Sequence, residues 1–408
     1  MRIPTSLLFD QNIRAIANNQ SDLVKTQEQL STGKRINDPS DDPVGAAKVI
    51  RLTETLDKLT QFQRNNDLFQ SGLEQQEVVL SNITDSLQRA RVLTIQAGSG
   101  IFTQSDREAI AAEVEQIRNE VFDLFNAQNA NGEYIFSGYQ SNTQAYDFNP
   151  TSNNSFEYLG DAGTNTVRLS DSVEVRSSVS GQQVFENTLA RFNLDITGVS
   201  GTASVTDTVI TQQGSFDQFF EENYDAVTPA NNDYQFTILG TGQIQLVNAG
   251  TGAVVSTQNF TSGEPISFNG AQFTIEGNVG DTIDFSLRDP EKRNVAEILN
   301  DLVVALQDAS SSDSDLREAI ADALVGIDNG TADIAREVSS IGGRLNTAQS
   351  IFETNLDLEI VNTEARSEIE DTDFAEASAN FARQETALEA VLTTFPRISS
   401  LSLFNFIS

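Results

Sequence analysis

LSTGKRINDPSDDPVGAA (30–47) separates two helical patterns, and its reading decides the fold. Upstream of it, Phe9, Ile16, Leu23 and Leu30 recur every seven residues, with Ile13, Gln20 and Gln27 on the adjoining row. Two rows at that spacing define a coiled-coil seam, here apolar on one row and mostly Gln on the other. Ser31-Thr32-Gly33 ends the helix. NDPSDDP (37–43) cannot continue it, because a residue before proline is pushed out of the helical region. Pro43 suits a first helical turn, where its missing N–H is not needed. The segment therefore predicts helix, short break, second helix.

Two chemistries can be weighed on the break itself. Thr32-Gly33-Lys34-Arg35 is not a phosphate loop, since G-x-x-x-x-G-K-[ST] fails at Glu28 and at Arg35. Asp38, Asp41 and Asp42 could hold Ca²⁺, but their spacing is not that of an EF-hand, and turn-forming and N-cap roles account for them. No metal site is assigned.

Working outward, the second helix carries the row Leu52, Leu59, Asn66, Leu73, Leu80, Leu87 and extends to about Ala97. At 1.5 Å per residue that is about 80 Å. A third helix is expected over about 105–129, with Ser105 as cap and Glu108 completing a capping box. The other end of the chain mirrors this. A helix near Val295–Gln307 precedes a long one over about 315–367, with the rows Ile320, Ile327, Ile334, Ile341, Ala348 and Leu324, Thr331, Val338, Leu345, Phe352. A last helix over about 373–396 sets Phe374, Phe381, Leu388 and Phe395 on one row and Ala377, Gln384, Val391 and Ile398 on the next. Matching seams at opposite ends suggest that the ends pair. Periodicity alone leaves two readings open: a bundle inside one subunit, or a coil completed only on assembly, since an isolated pair of short helices is marginal.

The middle reads as β. Residues 131–290 hold 16 of the 25 Gly. Tyr234, Phe236 and Ile238 alternate, Gly240-Thr241-Gly242 turns the chain, and Ile244 and Leu246 continue it. In ISFNGAQFTI (266–275), Asn269-Gly270 is the favoured pair for a type I′ hairpin, and Ile283, Phe285 and Leu287 supply a further strand. Residues 151–215 are less clearly patterned. The fold class is thus α+β and multidomain: long antiparallel helices built from both chain ends, with an inserted β-rich outer domain. The expected division is 1–42 with 371–408, 43–150 with 290–370, and 151–289.

Composition bounds the function. The 408 residues contain no His, Cys or Trp, which excludes Ser-His-Asp and Cys-His nucleophiles and the usual zinc and haem ligands. Among 59 acidic residues no glycosidase-type carboxylate pair can be singled out. No catalytic residue and no cofactor is assigned. A net charge of −34 repels phosphate backbones, so no nucleic-acid partner is expected. The longest aliphatic run, LVVAL (302–306), is far too short for membrane insertion. Charge is uneven: residues 1–130 carry −5, 131–290 carry −15 and 291–408 carry −14. That asymmetry is compatible with the two arms facing each other.

Specific strings add a resemblance. LSTGKRINDPSDDPVGAA (30–47) resembles the segment after the first helix in the bacterial flagellin superfamily. GEYIFSGYQSNTQAYDF (132–148), ISFNGAQFTIEGNVGDTIDF (266–285), SSIGGRLNTAQ (339–349) and LSLFNFIS (401–408) are similar to strings of its hook–filament junction branch. The start MRIPTS and the end SLFNFIS favour that branch over the filament subunit. Gly342-Gly343 doubles a position usually held by one Gly, and the acidity exceeds the family's habit.

The resemblance implies a structural adaptor of the bacterial flagellum, exported unfolded through the flagellar type III apparatus and assembled as a ring of subunits. It implies hook-associated protein 1, flagellin and an export chaperone as partners, and an extracellular location. A chain without Cys and without a signal peptide suits that route. The assembly interface is then expected at Phe9, Ile16, Leu23, Leu30, Phe374, Phe381, Leu388, Phe395, Leu403 and Phe404, with Phe381, Leu388 and Val391 as chaperone-binding candidates. Two alternatives stand beside it: a flagellin-type filament subunit, and an outer domain with glycan-binding or enzymatic activity.

Overall fold

The computed structural model describes residues 5–100, 102–152 and 154–407, with side chains described for all of these except 5–9, 12 and 395–407. Its helices are α1 (Thr5–Thr32), α2 (Pro43–Ala97), α3 (Gln104–Phe125), α4 (Gly181–Phe185), α5 (Gln213–Asn223), α6 (Val295–Gln307), α7 (Asp313–Glu370) and α8 (Phe374–Ile407). The strands all fall between α3 and α6: β1 (Tyr146–Phe148), β2 (Phe156–Tyr158), β3 (Thr166–Arg168), β4 (Glu174–Arg176), β5 (Thr188–Leu189), β6 (Leu194–Val199), β7 (Ser204–Ile210), β8 (Asp233–Leu239), β9 (Gln243–Asn248), β10 (Val254–Asn259), β11 (Pro265–Phe268), β12 (Ala271–Glu276), β13 (Thr282–Leu287) and β14 (Lys292–Arg293). Long helices from both chain ends with a β-rich insertion are what the periodicities led us to expect.

Several boundaries move for identifiable reasons. α3 starts earlier than Ser105 and is capped by Thr103, whose side chain accepts from the Asp106 N–H while the Asp106 carboxylate takes the Thr103 N–H at 2.9 Å; Glu108 has no part in the box. It stops at Phe125 because Asn126 turns its side chain back, Nδ2 donating to the carbonyls of Phe122 at 3.3 Å and Tyr146 at 3.0 Å. α7 runs unbroken through Gly342-Gly343. α8 continues past Pro396 to Ile407, although proline takes one donor out of the ladder. The region 151–215, expected to be weakly patterned, contains short strands and the unforeseen α4.

The chain divides into two compact units. One holds residues 1–68, 168–174 and 347–408: α1, the first half of α2, the last part of α7, and α8. Leu56, Leu59 and Phe62 are buried along this part of α2, as are Ala348 and Asn355 on α7. Asn66 occupies a core position and answers its burial by donating from Nδ2 to the Ala348 carbonyl at 2.8 Å. Asn355 likewise donates to the carbonyl of the fully buried Leu169 at 2.9 Å. A buried amide with one satisfied geometry penalises any slipped register, because a slip strands its donors.

The second unit holds residues 69–167 and 175–346. Its helical part buries Leu73, Leu80 and Leu87 of the predicted α2 row. A second row, Phe69, Gln76, Ile83, Ala90 and Ala97, is buried as well, and no single seven-residue count had shown it. Ile320, Ile327, Ile334 and Ile341 line the facing side of α7, and α3 packs on α6. The motif string at 132–148 is used for packing: Phe136 is fully buried edge-on to Phe185, which stacks on Phe125 at 4.1 Å.

The β-rich part is built on two antiparallel sheets, ordered β10-β9-β8-β13-β6 and β11-β12-β7. Alternation supplies the core: Tyr234, Phe236, Ile238, Ile244, Leu246, Phe273, Ile275, Ile283 and Phe285 all point inward, joined by Phe216, Phe219 and Phe220 of α5. At the 268–271 hairpin, Asn269 and Gly270 have φ of 42° and 88°, the left-handed pair that a type I′ turn requires.

Candidate assembly interface

The candidate residues lie on α1 and α8, so the geometry that joins these helices is the site. α1 ends where Gly33 takes φ 72°, a left-handed conformation that costs glycine nothing. The Gly33 carbonyl then accepts the Thr372 N–H at 2.9 Å, and the Arg35 N–H donates to the Glu370 carbonyl at 2.6 Å. The turn after α1 is thus pinned to the turn before α8, and the two helices extend from it side by side, antiparallel in chain direction.

Lys34 and Arg35, which in the sequence looked like part of a helix-ending turn, have a larger job. Lys34 Nζ meets Glu370 Oε1 at 2.5 Å, and the Arg35 guanidinium donates to the Ile369 carbonyl at 2.7 Å. Both cations therefore sit on the carbonyl end of α7, where the helix dipole favours positive charge. The signal that could have found them was the breaker at each end: two helix ends, one followed by basic residues and one acidic.

The carboxylates of the break are also accounted for. Asp42 Oδ1 accepts the Gly45 N–H at 2.9 Å as the cap of α2. Asp41 Oδ2 accepts the N–H groups of Asn37 and Asp38, and Oδ1 pairs with Lys25 Nζ at 2.9 Å. The Lys25 hydrogen bond, then that of the Asp38 backbone, hold the Asp41 carboxyl below its ordinary value. A depressed carboxyl adds stability above the unfolded-state range and loses it as pH falls through the folded value. Wild type is therefore expected to melt above Asp41→Asn at neutral pH, with the gap closing on acidification below the ordinary aspartate range; melting curves against pH check this.

Along the seams, Ile16, Leu23 and Leu30 are half-buried, as are Phe381, Leu388 and Val391. Phe374 does not share that row's burial: it is 57 % exposed beside Gly33, while Ala377 one turn on is buried. The side chains of Phe9, Phe395, Leu403 and Phe404 lie outside the described residues. What the arrangement offers is a long helix pair whose apolar rows are only half covered. At roughly 1.5–3 kcal/mol per fully buried large side chain, further burial of these rows would be a substantial driving force.

Among the described residues nothing competes with that reading. The buried carboxylates serve the frame: Glu297 accepts the Ser155 N–H at 2.9 Å, and Glu186 accepts Asn294 Nδ2 at 2.5 Å. Burial raises the proton affinity of both. In a cavity of about 130 Å³ the lining Arg191 is already paired with Glu318 and Asp322, and Arg288 with Asp195. Among the described residues no group of three or more acidic side chains is placed to hold a metal, and no helix is long and apolar enough to cross a membrane.

With this geometry in place, comparison with known proteins gives first a class. Residues 3–141 match the family model described as the bacterial flagellin N-terminal helical region. Within that class the likeness is to flagellar hook-associated protein 3. The Salmonella typhimurium protein of that name is 34 % identical over 147 residues, 36 % of this chain and 46 % of the relative. The Escherichia coli flagellin is 28 % identical over 326 residues, 76 % of this chain and 61 % of the relative. The crystal structure of flagellar hook-associated protein 3 from Legionella pneumophila superposes with a TM-score of 0.60 at 22 % identity, covering 79 % of this chain and 98 % of that one. The resemblance to the flagellin superfamily and its hook-associated branch is thereby borne out, and the shared fold with it. The alignments span about half the length of the curated hook-associated proteins they match.

Proposed function

We propose that this chain is a structural subunit of the bacterial flagellum, acting at the hook–filament junction, where it joins hook-associated protein 1 to flagellin in a ring of subunits. The observation that carries this is the half-covered α1–α8 pair, combined with sequence and fold likeness to hook-associated protein 3. In this reading 1–42 with 371–408 form the assembly region, 43–150 with 290–370 the helical core, and 151–289 the outer domain. The rows at Ile16, Leu23, Leu30, Phe381 and Leu388 complete their burial against neighbouring subunits. No reaction is assigned; the relatives named are structural components of the flagellum.

Electron microscopy of a strain lacking the gene tests the role. Hooks without filaments, with flagellin shed into the medium, are expected; normal filaments would overturn it. A filament-subunit reading is favoured by the flagellin match, and it predicts that the purified protein polymerises into long filaments, which a junction protein does not.

Before export, the half-exposed row Phe381, Leu388, Val391 on α8 suits an amphipathic-groove chaperone. Phe381→Asp with Leu388→Asp is expected to abolish its co-purification with the cognate flagellar export chaperone. Retention at wild-type level would remove α8 from that role.

A further inference from the structure

The charge asymmetry between the two arms, compatible in sequence with the arms facing each other, is largely unspent inside the first unit. Residues 43–68 of α2 carry +1 and residues 347–370 of α7 carry −5. Yet Lys48, Arg51, Lys58 and Arg64 enter no ion pair among the described residues, and neither do Asp357, Glu364 and Glu368.

These unspent charges are ordered. Val44, Lys48, Arg51, Thr55 and Lys58 stand at i, i+4, i+7, i+11 and i+14, one face of α2, and all are exposed. Asp357, Val361, Glu364 and Glu368 stand at i, i+4, i+7 and i+11, one face of α7, also exposed. Asp357 lies two residues beyond the buried Asn355, so this face points away from the helix's own core. One stripe offers three cations, the other three anions, and each includes an exposed valine, Val44 and Val361. Around Val361 the α7 segment exposes Leu356, Leu358 and Ile360 as well, so apolar side chains flank the acidic stripe. Exposed apolar side chains beside a charged stripe suit a surface that a partner covers.

We infer that the occupant of each stripe is a second copy of this chain: the basic face of α2 on one subunit receives the acidic face of α7 on the next. The two surfaces differ, so the contact is heterologous, and a heterologous contact repeated by rotation closes a ring or climbs a helix. Each exposed pair contributes little alone, but a matched stripe fixes partner and register and rejects the like-charged alternative. This inference rests on the assembly role proposed above and names the surface through which it works.

The absence of cysteine in the chain gives a clean test. Full-length protein carrying Arg51→Cys and Glu364→Cys is expressed in the deletion strain, and isolated flagella are oxidised. A ladder of disulfide-linked multimers of this chain is expected, with neither single variant going beyond a dimer. An intramolecular disulfide only, or a link only to a protein of different mass, in flagella that contain the variant at the junction, would overturn the stripe pairing while leaving the adaptor role intact. Absence of wild-type protein from isolated flagella would overturn the role, and the inference with it. As a second measurement, Lys48→Glu, Arg51→Glu and Lys58→Glu together should abolish swimming. Adding Asp357→Lys, Glu364→Lys and Glu368→Lys to the same chain should restore it. Wild-type swimming in the first variant, or no rescue in a second variant whose melting temperature matches wild type, would also refute the pairing.

Discussion

Phe285→Ala is expected to destabilise the β-rich region by about 3–5 kcal/mol. The ring is fully buried at the centre of the aromatic core, 5.2 Å from Tyr234 at an interplanar angle of 12°, 5.5 Å from Phe236 and 5.3 Å from Phe273. Truncation removes contacts on several sides at once. The neighbours cannot close the gap, because Tyr234 and Phe236 are set by the β8–β9 hairpin and Phe273 by β12. Tyr fluorescence follows the loss in urea, since the chain has no Trp to mask it and Tyr234 lies against the substituted ring. Val279→Ala, at a side chain 67 % exposed in the turn before β13, is the control and is expected to shift stability by less than about 0.5 kcal/mol. Equal midpoints for the two variants would mean that the stacked rings are not the core of this region.

That core was legible in part, and the reason is alternation. Where a strand has one buried face, as in Tyr234-x-Phe236-x-Ile238, a period of two shows in the residues themselves. β3 and β4 alternate less usefully: Val167 and Val175 are half-buried between exposed neighbours, so no apolar face exists to be counted. The α2 seam was half read for a related reason. Its first row is nearly all Leu, whereas the second mixes Phe69, Gln76, Ile83, Ala90 and Ala97, and a Gln buried by a tertiary hydrogen bond to the Ser177 carbonyl breaks a count based on apolarity. At the break, Asp42 was readable as a cap because capping is local. The grip of Lys34 and Arg35 on the end of α7 joins residues more than 330 apart in the chain, and only the folded structure brings them together.

The glycines of α7 give the second large effect, with opposite signs on one helix. A Cβ at Gly326 would stand 2.6 Å from Ile298 Cδ1 and 2.9 Å from its Cγ2, and one at Gly330 would stand 2.9 Å from Val295 Cγ2. α6 can lie this close to α7 only because nothing projects there. Ile298 cannot swing aside, since it is 5 % exposed and flanked by the buried Leu299 and Leu302. Gly326→Leu is therefore expected to cost about 1–3 kcal/mol through overpacking, more than the gain of about 1 kcal/mol from replacing a helical glycine. At Gly342 and Gly343 no atom comes within 4 Å of the added methyl, and the helix is continuous through both. Gly342→Ala and Gly343→Ala are each expected to add about 0.5–1 kcal/mol. Urea midpoints of the three variants decide the matter. If the two alanines stabilise the isolated chain yet slow filament growth, the doubled glycine serves a bend in α7 that assembly requires; if they destabilise it, the straight helix at 342–343 is wrong.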